Sequence, residues 1–372
     1  AAHQLTQLKG IPVADEANEI RYRTPAHRKR AVRQALDALR GSRRAILTTH
    51  LNADGDGTGC EIAMAAWLRS LGARPVIINP TPFPDMFRFL VPDDVVILEA
   101  GSADARDACA DADLAVVLDT GEVPRIGRLK PMIDGIPTVV IDHHQPGDQP
   151  VGGISFRDPV ACATGELVYD IVLASGGPWP PATLQGIYVA IITDTGSFRF
   201  SNATPNAHRI AADLIADGVN PEDLHRLVYG AAPPRRLRLL ARALDTLEVD
   251  AEAGVAWMTV PHEIEGAEPL PEDVDGLVDY PRSVQGVEVG LLFRRTLNGG
   301  TKVSFRSSGA VDVNALAREF GGGGHIKASG AAISGSPADV IPKVLDATRR
   351  AVRATARSGG SPQTSTHEKA RT

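Results

Sequence analysis

The sequence predicts an α/β protein with a parallel-sheet N-terminal domain and a smaller α/β C-terminal domain. The main observation is a series of five short apolar runs, rich in β-branched residues, with helical stretches such as residues 58–71 between several of them. The runs span residues 45–49, 75–79, 95–98, 114–118 and 138–141. Near-continuous apolar strands that alternate with helices are typical of a parallel sheet covered by helices.

A second pattern begins near Val255 and predicts the smaller domain. Strands are expected at residues 256–260, 287–294 and 302–306, and helices at 313–320 and 340–354. Between the two patterns, residues 161–247 are expected to be mostly helical. We therefore predict a loose arm (1–23), a first domain (24–232), a connecting helix or linker (233–254), a second domain (255–355) and a disordered tail (356–372).

Composition and charge narrow the class of protein. The net charge of −6 over 372 residues argues against a protein that coats long nucleic acid by bulk electrostatics. The three cysteines form no C-x-x-C pair, so neither a disulfide framework nor a zinc knot is expected, and a reducing compartment fits. No apolar run approaches the ~18–20 residues of a spanning helix, and no signal-peptide pattern is present. We expect a cytoplasmic protein with no membrane partner.

The first helix is predicted to follow Thr24-Pro25, which offer an N-cap and a first-turn proline, and to run to about residue 40. This helix is strongly basic, and its charged side chains are expected to form a solvated face. The basic residues are Arg28, Lys29, Arg30, Arg33 and Arg40.

Four acidic or histidine motifs lie at or near the ends of predicted strands or helices. They are His50-Leu-Asn-Ala-Asp54-Gly-Asp56-Gly57, Asp119-Thr-Gly, Asp142-His143-His144 and Asp194-Thr-Gly-Ser-Phe-Arg199. His50, Asp119 and Asp142 each directly follow an apolar run. Ligands of open α/β sheets collect at the carboxyl ends of the strands, so we expect these three residues at one rim.

The residue types in these motifs suit divalent metal ions. Oxygen and imidazole ligands without thiolate fit manganese, magnesium or similar ions. Several such ligands at one rim can hold two ions, and two ions ~3.5–4 Å apart can activate a water and stabilise both oxygens of an in-line displacement at phosphorus. An isolated strand-end aspartate such as Asp119 is expected to bridge the two ions.

Other interpretations explain the motifs less well. The first motif resembles the start of an EF-hand loop, but Ala63 occupies the twelfth position, where glutamate is required. A dinucleotide-binding loop fails because Cys60 stands at its third glycine, and no G-K-[ST] completes a P-loop. Taken alone, Asp119-Thr-Gly fits a strand-end turn and Asp142-His143-His144 fits a capping turn. The four motifs together make coincidence the weaker explanation.

In this order, the four motifs closely resemble those of the DHH phosphoesterase superfamily. A further motif, Gly322-Gly323-Gly324-His325-x-x-Ala328-Ser329-Gly330, resembles the signature of the DHH-associated C-terminal domain. The resemblance covers about residues 24–350 and has one departure, Ala53-Asp54, where members often have Pro-Asp. The chain is similar to the branch of small oligoribonucleases that also dephosphorylate 3′-phosphoadenosine 5′-phosphate (pAp). Actinobacterial members of this branch also hydrolyse cyclic di-AMP or its linear product.

The resemblance implies a role for each motif residue. One metal ion would take His50, Asp54 and Asp119, and the other would take Asp56, Asp119, His143 and Asp194. Asp142 would orient a neighbouring histidine, and His144 would face the scissile phosphate or the leaving group. The resemblance thus implies two divalent ions, with Mn²⁺ expected and Mg²⁺ or Co²⁺ as alternatives. The implied catalytic residues are Asp119, Asp142, His143 and His144.

The second domain is expected to hold the substrate, with the active site in the cleft between the domains. Backbone amides in the run of four glycines before His325 could approach phosphate oxygens closely, as in anion-binding nests. A flexible linker is the alternative interpretation of that run. The guanidinium fork of Arg199 is another candidate phosphate ligand. The candidate substrate-binding residues are His144, Arg199, Arg306, Asn314, Gly322, Gly323, Gly324, His325 and Ser329.

The resemblance implies an enzyme that hydrolyses short oligoribonucleotides such as pApA, together with cyclic di-AMP, to mononucleotides and converts pAp to AMP. The resemblance also implies a homodimer, and long nucleic acid is not expected as a partner. An inorganic pyrophosphatase or exopolyphosphatase is the alternative enzyme. A processive single-strand exonuclease fits less well because the chain has no space for an additional OB-fold. A non-catalytic cyclic-dinucleotide sensor is the non-enzymatic alternative, and the intact ligand set argues against it.

Overall fold

A computed structural model describes residues 21–230, 232–274, 276–296 and 299–358. These residues form two compact units, which divide at residues 231 and 232. Most of the arm predicted over residues 1–23 and of the tail predicted over 356–372 lies outside the described residues. Tyr22, near the end of the predicted arm, is buried, and its hydroxyl donates a hydrogen bond to Asp170 (2.9 Å). This end of the segment is therefore fixed to the first unit.

The first unit contains a six-stranded parallel sheet with the strand order β3-β2-β1-β4-β5-β6. Its strands are β1 (Ala45–Thr48), β2 (Val76–Asn79), β3 (Val96–Glu99), β4 (Leu114–Leu118), β5 (Thr138–Asp142) and β6 (Ile154–Arg157). The first five match the predicted apolar runs closely. Strand β6 was not predicted from the sequence, because this edge strand is short and has only two apolar residues, Ile154 and Phe156.

Helices cover both faces of this sheet. They are α1 (Lys29–Gly41), α2 (Gly55–Ser70), α3 (Ala103–Asp111), α4 (Val123–Ile126), α5 (Thr164–Ser175), α6 (Pro181–Asp194), α7 (Pro205–Ala216) and α8 (Pro221–Tyr229). Alternate residues of a strand point to opposite faces. Val116 and Leu118 of β4 accordingly join the core under α1, α2, α5 and α6, whereas Ala115 and Val117 join the core under α3 and α4. The predicted parallel, helix-covered sheet is confirmed.

The sheet has a topological switch point between β1 and β4. From β1 the chain builds outward through β2 and β3, and from β4 it builds in the other direction through β5 and β6. Ligands of doubly wound sheets bind outside the carboxyl ends of the strands at such a point. His50 follows β1 and Asp119 directly follows β4, so the switch point lies between two of the predicted metal ligands.

Two features of the helices differ from the sequence predictions. Helix α2 begins at Gly55 rather than residue 58, because the Asp54 carboxylate accepts hydrogen bonds from the amides of Asp56 and Gly57 and so caps the helix (3.1 Å each). Arg28 does not lie on the solvated face with the other basic residues of this region. It is 3% exposed. The exposed basic residues of the helix are Lys29, Arg30, Arg33 and Arg40.

Arg28 is buried because three carboxylates surround it. Its Nε lies 2.5 Å from Asp158 Oδ2, and its Nη1 lies 2.6 Å from Glu166 Oε1 and 3.1 Å from Asp170 Oδ2. A charged group can be buried when it is paired and hydrogen-bonded in this way. The guanidinium therefore joins the start of α1, the end of β6 and the first half of α5.

The second unit is a smaller α/β domain, as predicted. Its mixed sheet has the order β11-β12-β10-β9-β8-β7, in which β8 and β9 are parallel and the other neighbours antiparallel. The strands are β7 (Glu248–Asp250), β8 (Val255–Val260), β9 (Val289–Arg295), β10 (Thr301–Ser307), β11 (Gly323–Gly324) and β12 (Ala328–Ile333). The helices are α9 (Pro234–Leu244), α10 (Pro271–Val274), α11 (Asp279–Arg282), α12 (Val313–Arg318) and α13 (Pro337–Ser358).

Helices again cover both faces of this second sheet. Helices α12 and α13 pack on one face, and α9 packs on the other through Leu239 and Ala243. Helix α9, predicted as part of the connection between the domains, thus contributes to the core of the second unit. No helix within the described ranges has the length and apolar character needed to cross a membrane.

Candidate metal centre

The first group of predicted ligands meets at the carboxyl ends of β1 and β4. His50, Asp54 and Asp119 each offer one ligand atom within 4.8 Å of the other two. His50 Nε2 lies 3.3 Å from Asp119 Oδ2 and 3.7 Å from Asp54 Oδ1. The other ring nitrogen, Nδ1, lies 2.9 Å from the carbonyl oxygen of Leu51 and donates to it in the neutral tautomer. The Nε2 lone pair then points towards the carboxylates.

The Nε2 atom of His50 provides a test of whether a cation fits. It is buried, and it makes no hydrogen bond to any described residue. A metal-bound histidine commonly donates its other N–H to a carbonyl, as Nδ1 does here. Burial lowers the pKa of His50, but Asp54 and Asp119 outweigh that effect and raise the pKa to about 10. The surroundings of this nitrogen therefore favour a positive charge, which a divalent ion supplies.

The second group shares Asp119 with the first. Asp56, Asp119 and His143 also offer ligand atoms within 4.8 Å of one another. His143 Nε2 lies 3.6 Å from Asp56 Oδ2, 3.6 Å from Asp119 Oδ1 and 3.8 Å from Asp194 Oδ2. Asp119 thus faces His50 with one carboxylate oxygen and His143 with the other. This arrangement suits a carboxylate that bridges two ions.

The electrostatics of the site favour bound cations. Burial and the charge of Asp119 raise the pKa of Asp56 well above its usual range. Burial also raises the pKa of Asp194 to about 6, although His143 opposes this. Burial would raise the pKa of Asp119 as well, but His50 and two other histidines hold it well below the usual range. Several carboxylates so close together need compensating positive charge, and this donor set of oxygen and imidazole without thiolate suits Mn²⁺ or Mg²⁺.

The backbone at Asp119 is unusual and places the side chain between the two groups. Its φ of +58° lies in the left-handed region, which Asp and Asn tolerate better than most residues. Its amide donates to the carbonyl of Ile141 (2.9 Å), so the chain turns directly after β4 while still bonded to β5. Uncommon backbone conformations of this kind cluster at functional sites.

Asp142 holds His144 in a defined orientation. Its Oδ1 accepts from the amide of His144 (3.0 Å) and lies 2.9 Å from His144 Nδ1. Its Oδ2 lies 3.1 Å from Arg157 Nε. A Cβ atom on Gly121 would lie only 1.5 Å from Arg157 Nη2, so this glycine leaves room for the arginine. Arg157 was not predicted as a site residue because it lies on β6, a strand that the sequence does not indicate.

Two further neighbours of the ligands gave no signal in the sequence. Thr164, the first residue of α5, donates from its hydroxyl to Asp119 Oδ1 (2.8 Å). The side-chain amide of Asn202 donates to Asp194 Oδ2 (3.0 Å). Threonine and asparagine are common helix-cap and loop residues, so only the tertiary structure shows that these two contact predicted ligands.

Arg199, which with His144 makes up the predicted substrate residues of the first unit, lies in the turn after α6. Its Nε donates to the carbonyl of Gly196 (2.6 Å), and its side chain is exposed. Gly196, Ser197 and Phe198 all have left-handed φ values, between 56° and 62°. Three such residues in succession make a tight left-handed turn between Asp194 and Arg199.

The glycine run of the second unit belongs to a hairpin, so it is not the flexible linker of the alternative interpretation. Gly323 and Gly324 form β11 and pair with β12. A Cβ atom on Gly322 would lie 2.1 Å from the Gly330 carbonyl oxygen, and one on Gly324 would lie 2.6 Å from the carbonyl oxygen of Ala328. The glycines are thus required for close approach of the two strands.

The other candidate substrate residues of the second unit lie on or beside this hairpin. The amide of His325 donates to the carbonyl of Ala328 (2.7 Å), and the hydroxyl of Ser329 donates to the carbonyl of His325 (2.7 Å). Arg306 lies on β10 and pairs with Ala328 of β12. Asn314 lies on α12, and its buried Oδ1 makes no hydrogen bond to a described residue.

Comparison with known proteins identifies both domains. Residues 44–191 match the DHH family, N-terminal domain, and residues 258–354 match the DHHA1 domain. The chain is 32% identical over 324 residues to the bifunctional oligoribonuclease and PAP phosphatase NrnA of Thermus thermophilus, a match covering 86% of this chain and 93% of that protein. It is 26% identical over 292 residues to the Bacillus subtilis protein of the same name, covering 77% and 88% of the two chains.

Solved structures share the fold. An exopolyphosphatase-related protein from Bacteroides fragilis superimposes with a TM-score of 0.80 at 25% identity, covering 88% of this chain and 98% of that one. RecJ from Thermus thermophilus, solved in complex with Mn²⁺, gives a TM-score of 0.52 at 17% identity, covering 90% and 56%. At 17% identity, the comparison with RecJ shows only that the two proteins share a fold. The sequence matches in both domains carry the assignment: the chain belongs to the DHH family of phosphoesterases and carries a DHHA1 domain.

Proposed function

We propose that this enzyme hydrolyses very short oligoribonucleotides such as pApA to nucleoside monophosphates and converts pAp to AMP. The observation that carries the proposal is that Asp119, at the switch point of the first sheet, is shared by the group that contains His50 and the group that contains His143. The likeness across both domains to relatives named bifunctional oligoribonuclease and PAP phosphatase supports this class of substrate. Cyclic di-AMP is proposed as a slower substrate, because its phosphates are tied in a ring and it lacks a terminal phosphate.

We propose that the two ligand groups hold two divalent ions. His50, Asp54 and Asp119 would hold one ion, and Asp56, Asp119, His143 and Asp194 would hold the other. Mn²⁺ is our first assignment, with Mg²⁺ and Co²⁺ as alternatives. When bound, such a pair activates a water and neutralises charge that develops on the phosphoryl oxygens. The fit rests on the donor types, on the shared Asp119 and on the surroundings of His50 Nε2.

His144 is proposed to act on the leaving group. Its Nδ1 lies 2.9 Å from Asp142, so Nε2 is the nitrogen that would face the substrate. We propose that Nε2 of the imidazolium donates a proton to the leaving oxygen, while Asp142 stabilises the positive charge and holds the ring in place. Arg157 Nε lies 3.1 Å from the other oxygen of Asp142, and this ion pair would help to hold the carboxylate in place.

The second unit is proposed to hold the nucleotide. The contacts would come from the hairpin and its neighbours, and Arg199 of the first unit would hold a phosphate. Asn314 Oδ1, a buried acceptor with no hydrogen bond to a described residue, could accept one from a base or ribose. The proposed substrate residues are His144, Arg199, Arg306, Asn314, Gly322, Gly323, Gly324, His325 and Ser329.

The test is a substrate panel with the Mn²⁺-loaded enzyme. Product release should be measured from pApA, cyclic di-AMP, pAp, pyrophosphate and a longer RNA. Efficient turnover of pApA and pAp with little hydrolysis of pyrophosphate would support the proposal. Pyrophosphate as the best substrate would favour the pyrophosphatase alternative. Tight binding of cyclic di-AMP without turnover of any substrate would favour the sensor.

We further propose a homodimer in a reducing, cytoplasmic compartment. All three cysteines are free thiols and buried, as a reducing compartment allows. The homodimer follows from the family resemblance, and light scattering after size exclusion would test it: a mass near twice 39.3 kDa supports the dimer, and a mass near 39.3 kDa excludes it.

A further inference from the structure

The first turn of α5 contacts the carboxylates of both ligand groups. The Asp56 carboxylate accepts hydrogen bonds from the backbone amides of Thr164 (2.7 Å) and Gly165 (3.0 Å). The hydroxyl of Thr164 donates to Asp119 Oδ1 at 2.8 Å. Thr164 is completely buried, and Asp56 and Asp119 are each 1% exposed. One residue therefore fixes the carboxylate of the second group and the carboxylate shared by both groups.

The two donors of Thr164 have different physical roles. The backbone amide belongs to the start of a helix, where amides without helical partners stabilise negative charge. Any residue other than proline would supply it. The hydroxyl, in contrast, is supplied only by the threonine side chain. Its hydrogen bond to the ionised Asp119 carboxylate is of the stronger, charge-assisted kind. It selects one orientation of the Asp119 carboxylate, in which Oδ1 faces the second group and Oδ2 faces His50.

The position of this turn is itself fixed by buried charges. Glu166 Oε2 accepts a hydrogen bond from the backbone amide of Cys162 (2.9 Å). Glu166 Oε1 accepts one from Nη1 of Arg28 (2.6 Å). Glu166 and Arg28 are 1% and 3% exposed. The start of α5 thus has little freedom to move, and Thr164 presents its hydroxyl from a rigid position.

The residues just before α5 reach the remaining ligands of the second group. The carbonyl oxygen of Ala161 lies 3.3 Å from His143 Nδ1. The carbonyl oxygen of Cys162 accepts from Asn202 Nδ2 (2.8 Å), and the same amide group donates to Asp194 Oδ2 (3.0 Å). The segment from 161 to 165 therefore contacts Asp56, Asp119 and His143 directly and reaches Asp194 through Asn202.

We propose that Thr164 is a positioning residue of the metal centre, whose hydroxyl holds Asp119 in its bridging orientation. The inference rests on the metal roles given under the proposed function. Removal of the hydroxyl leaves the Asp119 carboxylate free to rotate away from one of the two groups. Loss of an outer partner of this kind typically weakens metal binding by about 10–100-fold.

The test compares Thr164→Val, which keeps the shape and removes the hydroxyl, with Thr164→Ser, which keeps the hydroxyl. Mn²⁺ binding should be measured by calorimetry without nucleotide, and thermal unfolding should be measured on the metal-free proteins. We expect Thr164→Val to bind Mn²⁺ about 10–100-fold more weakly than the parent, and Thr164→Ser to bind like the parent. Excess Mn²⁺ should restore the kcat of Thr164→Val on pApA, because the reacting groups are unchanged.

Thr164→Ala serves as a second hydroxyl-free variant where valine prevents folding, because it adds no methyl group beside the carboxylates. Parent-like Mn²⁺ affinity in a folded variant without the hydroxyl would overturn the proposal. Equal loss of affinity in Thr164→Ser would do the same, because packing and not the hydroxyl would then be responsible. A parent protein that binds two Mn²⁺ ions but fails to cleave pApA would contradict the proposed substrate and leave this inference standing.

Discussion

Asp119 is the residue on which both ligand groups depend. Its Oδ2 lies 3.3 Å from His50 Nε2, and its Oδ1 lies 3.6 Å from His143 Nε2. The backbone at this position has φ +58°, which asparagine also tolerates. Replacement by asparagine should therefore keep the fold and the shape of the side chain. It removes the negative charge, because one carboxylate oxygen becomes an amide nitrogen.

Asp119→Asn should lose bound metal and lower kcat/KM on pApA by more than about 100-fold, beyond the usual effect of an outer partner. Metal content by mass spectrometry and AMP release measure the two effects. Asp107→Asn, the same charge change at an exposed position on α3, is the control and should retain both. Normal metal content with normal turnover in Asp119→Asn would show that Asp119 does not bridge.

Glu61 makes a different prediction, about stability. It is buried in α2, where Asn79 Nδ2 donates to its Oε2 (3.0 Å), and burial raises its pKa to about 8 despite that bond. The unfolded-state pKa is about 4.3, so the fold favours the protonated form. The contribution of Glu61 to the free energy of unfolding is fully present below about pH 4.3. It is lost as the pH rises towards 8, by at most about 1.4 kcal/mol for each pH unit.

Glu61→Gln should flatten the pH dependence of the free energy of unfolding between pH 5 and 8 and should be more stable than the parent at pH 8. The neutral amide has no proton to lose, and it offers a donor near the buried Asn79 Oδ1, which makes no hydrogen bond to a described residue. Urea unfolding of the metal-free proteins measures this. Glu99→Gln, at an exposed strand end, should follow the parent curve. Parallel curves for Glu61→Gln and the parent would show that the titration of Glu61 does not contribute to the pH dependence of stability.

The sequence identified the acidic and histidine residues of the site but not the residues that orient them. Aspartate and histidine clusters at strand ends have few structural explanations, so His50 and Asp119 stand out. Thr164, Asn202 and Arg157 act through contacts with residues 8 to 45 positions away, and their residue types are common in caps, loops and strand ends. Only the folded chain brings them to the ligands.

At the scale of elements, two helices position Asp56 and Asp194. Helix α2 carries Asp56 in its first turn, and α6 ends at Asp194. The helices touch backbone to backbone, because a Cβ atom on Gly59 would lie 2.4 Å from the Gly186 carbonyl oxygen and one on Gly186 would lie 2.4 Å from that of Gly59. This contact fixes the distance between the helices.

Gly186→Ala should therefore push α2 and α6 apart. We expect a loss of about 1–3 kcal/mol in the free energy of unfolding, the usual effect of overpacking, together with weaker Mn²⁺ binding. Denaturant unfolding and calorimetry measure the two changes. Gly41→Ala is the matched control, because a Cβ atom there has no neighbour within 4 Å. Unchanged stability and metal binding in Gly186→Ala would show that the helix contact does not set the ligand spacing.

The elements themselves were predictable to different degrees. Strands β1 to β5 were predicted because their apolar, β-branched runs are distinctive. Helix α2 was placed three residues late, because Asp54 is both a predicted ligand and the helix cap. Strand β11 was missed because Gly323 and Gly324 have no side chains to produce a strand pattern.

For the molecule as a whole, we expect the rate of hydrolysis to depend on substrate length. The net charge is −6, and the sequence offers no long basic track for RNA. A true single-strand exonuclease gains contacts and counterion release along its channel, whereas a site that holds one terminal nucleotide gains little after the first few. The hairpin around His325 is the proposed holder of that nucleotide.

The most direct measurement is kcat/KM for a series of 5′-phosphorylated oligoadenylates at one fixed salt concentration, with cyclic di-AMP measured beside it. We expect the highest value for pApA, a steady fall with length, and slower turnover of cyclic di-AMP than of pApA. His325→Ala should lower kcat/KM for pApA while two Mn²⁺ ions remain bound. Values that rise out to long RNA, or a cyclic substrate that outpaces pApA, would contradict the claim that this phosphoesterase acts on very short oligoribonucleotides.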